Sequence, residues 1–256
     1  MTIRNLSAFV LLVSVVALAA CAGETPVGEQ GQQPAAQQAA PPAEQAKPVA
    51  VAEHMKQHFT QVSAVRDAVV MNNEKAAQEA ANWIIEHQEV AGLPPGWPAH
   101  VENMRSAARD ALNAKGVDEA GLAVGRMTRV CAECHQATGA KLSAPEPGAA
   151  PTVAENAESH MLRHQWAIEQ MWTGLIYPSE GAWRRGADAL AFAALKPEQL
   201  VRDRGAATAD IGKLAIQVHS LAAEGTAARS WDDRAQVYGK LLGTCIRCHQ
   251  QLKVTK

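Results

Sequence analysis

The sequence predicts an all-α protein of two tandem antiparallel four-helix bundles, each with a Cys-x-x-Cys-His motif near its C-terminal end. Three observations predict it. Beyond about residue 49 the 256-residue chain is rich in alanine and poor in strand-like alternation. Apolar residues recur in steps of three and four, which lays them along one face of a helix. The chain also repeats itself: His54-Met55-Lys56-Gln57-His58 returns 106 residues later as His160-Met161-Leu162-Arg163-His164, and Cys131 returns 114 residues later as Cys245. Eight extra residues therefore lie inside the second unit.

Residues 1–20 read as a signal peptide. A short start carrying Arg4 leads into the apolar run Ala8–Ala20, which at 13 residues is too short to span a bilayer. Leu18-Ala19-Ala20-Cys21 resembles the bacterial lipobox, in which the cysteine is acylated and becomes the mature N-terminus. The other reading is ordinary cleavage after Ala20 or Ala22, with Cys21 left as a free thiol. By resemblance to lipoproteins, Ala22 after the cysteine favours the outer membrane over the inner. Residues 21–49 are mostly Gln, Ala, Pro and Gly, with almost nothing to bury, and read as a disordered tether.

Two helical units of about a hundred residues each follow, at 50–142 and 153–256, joined by a linker over 143–152 that contains Ser143-Ala144-Pro145-Glu146-Pro147. In the first helix of each unit, Met55, His58, Val62, Val65 and Val69 share one face, as do Met161, His164, Ile168, Met171 and Leu175. Second helices are expected around Glu74–Glu89 and Ser179–Leu195. They are broken by the Gly92–Pro98 stretch and by Lys196-Pro197. The third helices show Val101, Met104, Ala108 and Ala111, then Ile211, Leu214, Val218 and Leu221. Val124, Met127, Cys131 and Cys134 form the stripe of one last helix, and Tyr238, Leu241, Cys245 and Cys248 that of the other. The cysteines thus lie on the core-facing stripe.

Cys131-Ala132-Glu133-Cys134-His135 and Cys245-Ile246-Arg247-Cys248-His249 set the chemistry. Each offers two thiols one helical turn apart to bond the vinyl groups of a haem, and an imidazole directly after them to ligate its iron. Two Cys-x-x-Cys pairs could also make a four-thiolate zinc cage. A histidine after both pairs, and the repetition of the motif at the end of both units, point to two covalently bound haem c groups instead.

A four-helix unit with this motif near its C-terminus resembles the class II cytochromes c, the cytochrome c′ group and its low-spin relatives. The resemblance covers both units, and the haem signature is its one specific motif. It implies that His135 and His249 are proximal iron ligands and that the first helix supplies the distal face. This chain offers both imidazole and thioether there: His58 and His164 are the preferred distal ligands, with Met55 and Met161 as the alternatives. His54 and His160, one turn away, are placed to orient a ligand or meet the propionates. His87, His100 and His219 lack counterparts at matching positions and read as surface or structural residues, and the six tryptophans as walls of the core and haem edges.

Removing residues 1–20 takes away one basic residue and leaves 23 Lys+Arg against 26 Asp+Glu. No basic block or interleaved aromatic stripe points to nucleic acid. No nucleophile constellation, phosphate loop or paired acid motif points to an enzyme. The expected function is single-electron transfer with periplasmic or membrane redox partners, by a domain held to a lipid membrane through acylated Cys21. The alternatives are binding or sensing of nitric oxide or carbon monoxide at an open iron and, less favoured, a dihaem peroxidase.

Overall fold

The computed structural model describes residues 48–87, 93–152, 156–192, 196–200 and 208–253. The signal peptide, Cys21 and the tether up to residue 47 lie outside the described residues. Among those described, every regular element is a helix: α1 (Pro48–Val70), α2 (Glu74–Glu86), α3 (Trp97–Leu112), α4 (Val117–Ala137), α5 (Ala157–Ile176), α6 (Glu180–Ala191), α7 (Pro197–Leu200), α8 (Thr208–Ala227) and α9 (Trp231–Gln251). None of them is long and apolar enough to cross a membrane.

Local chemistry explains the boundaries. Asn73, Asn156 and Ser179 cap α2, α5 and α6 by accepting a hydrogen bond from the backbone three residues on. Ser230 and Asp233 form a reciprocal capping box at α9. Gly96, in the left-handed region at φ 90°, turns the chain into α3, whose first turn carries proline. The extra residues of the second half fall in the α6–α8 connection, which contains the unforeseen α7, and in an added turn of α8, 20 residues against 16 in α3.

The helices make two rings of neighbours. α1 packs on α2 and α4, α2 on α3, and α3 on α4; α5 packs on α6 and α9, α6 on α8, and α8 on α9. The sequence left open whether the halves touch. They do, chiefly along α4 and α9, and Val62, Met127, Met171 and Leu241 belong to one continuous buried core. The pair runs antiparallel, because Asp118 meets Arg247, Gly121 meets Gly239, Gly125 meets Ala235, and Arg129 lies 3.5 Å from Asp232. A Cβ at Gly125 would overlap the carbonyl oxygen of Ala235, so glycine is what permits this close approach. Arg66 of α1 adds a second tie, 3.0 Å from Glu169 of α5 with its guanidinium 4.5 Å above the Trp172 ring.

The expected stripes match the interior at most positions. Val62, Val65, Val69, Val101, Met104, Ala108, Val124 and Met127 are buried, as are Met171, Leu175, Ile211, Leu214, Val218, Leu221, Tyr238 and Leu241. Met55, Met161 and Ile168 are only partly covered. The linker has no regular structure over 140–152 but is pinned, since Trp166 Nε1 donates to the Gly148 carbonyl at 3.0 Å.

Candidate functional site

Cys131, Cys134 and His135 occupy the last two turns of α4, and Cys245, Cys248 and His249 those of α9. At about 100° per residue, Cys134 lies about 60° to one side of Cys131 and His135 about 40° to the other, so all three project from one side of the helix. A helix C-terminus is also a favourable end for an imidazole.

In the first half these residues open onto a cavity of about 70 Å³. Its walls are almost wholly apolar, with Val62, Val101, Met104, Val130 and Ile176 among them, together with Phe59, Trp97 and His100. Met55 and His58 of α1 line the same cavity as Cys131, Cys134 and His135 of α4. The proximal and both distal candidates of this half therefore share one chamber.

His135 is held by the other half of the molecule. Its Nδ1 lies 2.8 Å from the Ile176 carbonyl at the end of α5. Since a carbonyl only accepts, Nδ1 carries the proton and Nε2 keeps its lone pair, the form in which an imidazole ligates a metal. Burial lowers the His135 pKa, and the Ile176 carbonyl partly offsets this. Opposite, His58 Nε2 is buried without a hydrogen-bond partner, and so is His164 Nε2 in the second half. An orphaned buried nitrogen costs roughly 1–3 kcal/mol, a cost that a bound iron would remove. A methionine thioether incurs no such cost, which favours His58 over Met55.

The pKa shifts agree in direction. Burial, then the neighbouring His54, His87 and Arg105, push His58 down to about 4. Burial, then His160, His219, His249 and Arg163, push His164 down to about 3. The presence of His249 in that set brings the proximal and distal candidates of the second half into electrostatic reach of each other. Met161 and Cys248 pack there on the small apolar cluster of Leu200, Ile211 and Leu252.

None of the four described cysteines is in a disulfide. Burial, then the partner thiol, pushes Cys131 and Cys245 up to about 12. A reactive dithiol needs the opposite, a lowered pKa. A shared zinc cage also fails on geometry. In the antiparallel register Cys131 lies beside the start of α9, and the rise per residue puts Cys245 about 22 Å further along that helix. The two cysteine pairs sit at opposite ends of the α4–α9 pair.

Each half gathers a third histidine that spacing did not reveal. His87, at the end of α2, reaches His54 and His58; His219, within α8, reaches His160 and His164. Trp83 stacks on His87 with centroids 4.1 Å apart, and Arg105 donates to the His87 carbonyl at 2.6 Å. These two histidines, read from the sequence as surface or hydrogen-bonded structural residues, lie beside the distal candidates, and His100 lines the cavity. Because the third member of each group comes from a different place in its half, comparison of the repeats could not pair them. The i, i+4 spacing of Trp83 and His87 was the only local signal.

No family model, no curated protein and no solved structure matches this chain.

Proposed function

We propose that this protein is a dihaem c-type cytochrome, built as two tandem four-helix bundles of class II type, that carries single electrons on the periplasmic side of a bacterial membrane. The observation that carries the reading is the shared chamber of the first half. Two thiols and an imidazole on α4 line one apolar cavity with an imidazole on α1 whose buried Nε2 has no hydrogen-bond partner, and the second half repeats the residues.

Bound haem supplies an iron that cycles between Fe(III) and Fe(II). The chain supplies the rest. Cys131 and Cys134, and Cys245 and Cys248, hold the two haems covalently. His135 and His249 are the proximal ligands, and the Ile176 carbonyl fixes the tautomer and orientation of His135. His58 and His164, ahead of Met55 and Met161, would be the second ligands that hold the irons. Two fixed imidazoles would hold the iron alike in both redox states, and the apolar walls would keep water from it. With the attachment sites about 22 Å apart along the helices, each haem meets a redox partner at its own end of the molecule. Acylated Cys21 holds the domain to the membrane, the outer one by preference, and residues 21–49 let it reach its partners.

The test is haem retention after denaturation. The mature protein is unfolded in acid and extracted with organic solvent, and the haem left on the polypeptide is quantified. Two haems per chain, falling to one in the Cys131→Ala, Cys134→Ala double variant, is the expected result. A chain that retains none overturns the proposal.

A further inference from the structure

We propose that the trios His54, His58, His87 and His160, His164, His219 are two sites for a divalent transition-metal ion, distinct from haem but sharing His58 and His164 with it.

Each trio offers one nitrogen per ring, and within a trio these atoms all lie within 4.8 Å of one another. Two nitrogens bound to one zinc-type ion at about 2.05 Å, with tetrahedral angles, are about 3.3 Å apart. His54 Nδ1 and His87 Nε2 are 3.3 Å apart, which is a tetrahedral edge and longer than the usual N–H hydrogen bond of about 2.9–3.0 Å. His54 and His58, like His160 and His164, stand four residues apart on one helix face, with ring centroids 4.5 and 4.2 Å apart. That i, i+4 spacing is the one by which a helix presents two imidazoles to one ion.

The two trios are completed in different ways. The helical pairs correspond between the repeats, but the third histidine comes from the end of α2 in one half and from within α8 in the other. Simple duplication would have put it on matching helices. The same three-imidazole grouping reached from non-matching positions indicates that the grouping itself is functional. Neutral imidazole suits zinc, copper and nickel, and three such ligands leave a fourth position for water or a small ligand. The nitrogen assigned to the ion is the buried Nε2 of His58 and of His164, the same atom assigned to the iron, so the ion competes with the distal bond in each half.

The mature full-length protein is titrated with Zn²⁺ alone, and retained metal and the haem absorption spectrum are both followed. The expected result is two zinc ions per chain, with low-spin haem turning high-spin as they bind. His87→Ala should weaken one site more than about 100-fold and His219→Ala the other, a ligand's loss exceeding that of an outer hydrogen-bond partner. His87 and His219 are only partly buried, so both variants keep the core intact. Absence of retained zinc, or uptake unaffected by both substitutions, overturns the proposal. Uptake without a spin change in a haem-loaded chain overturns it too, because the ion would then not share Nε2 of His58 and His164 with the iron. Should the chain hold no haem, loss of one ion in each variant still supports the trios while the cytochrome reading fails, so the two failures are distinguishable.

Discussion

Acidification should destabilise this protein at a pH where its carboxylates are still ionised. His58 sits at about 4 in the folded chain against 6.5 when exposed. The unfolded chain therefore binds more protons than the folded one below pH 6.5, and stability falls with pH there. From these two values the loss for His58 alone is about 2 kcal/mol between pH 7.5 and 5, and about 3 kcal/mol by pH 4. His160 and His164, at about 4 and about 3, act in the same direction in the second half. Ligation to iron also favours the neutral imidazole and leaves the sign unchanged. Urea unfolding of the mature protein, followed by far-ultraviolet circular dichroism at pH 7.5, 6.5, 5.5 and 5, measures the loss. Full stability above about pH 6.5 and a decline of at least 2 kcal/mol by pH 5 are expected, with a shallower decline in His58→Phe. Stability that stays level between pH 7.5 and 5 would refute the reasoning.

Other perturbations test the packing and the site. Gly125→Val drives a side chain into the Ala235 backbone across the α4–α9 contact and should cost about 3 kcal/mol in urea unfolding, against under 1 kcal/mol for Gly148→Val, where a Cβ meets open space. Arg66→Met removes the charge opposite Glu169 but keeps apolar cover on Trp172. With Glu169 half exposed, a loss of about 1 kcal/mol by thermal unfolding is expected. His58→Ala should open one distal position, so that reduced protein takes up carbon monoxide at one haem per chain where the wild type takes up none, read from the absorption spectrum.

Much of the fold was legible because helical periodicity and the repeat pointed the same way. Val62, Val65 and Val69 on one stripe and Ile211, Leu214 and Val218 on another fixed which faces turn inward, and Gly-Pro segments marked the breaks. What could not be read was what depends on the partner surface. Nothing in α4 alone shows why Gly121 and Gly125 are glycines, since it is the backbone of α9 that lies against them. The α7 turn lies in the part of the second repeat that has no template in the first. At the site, Cys131 to His135 and His58 were legible because each lay in a repeated motif. The nearness of His87 and His219 to the first helices was not legible, because only the tertiary fold brings them there, and from unmatched positions. The hydrogen bond from His135 to Ile176 was beyond sequence for the same reason, since it joins one half to the other.

The central claim is that each half holds a haem between two imidazoles, and the most direct test is the electron paramagnetic resonance spectrum of the oxidised mature protein, with its spins counted per chain. The account predicts two low-spin ferric centres per chain, uncoupled because their attachment sites lie at opposite ends of α4 and α9. A high-spin ferric signal of one spin or more per chain would contradict it, by showing that His58 or His164 does not reach the iron.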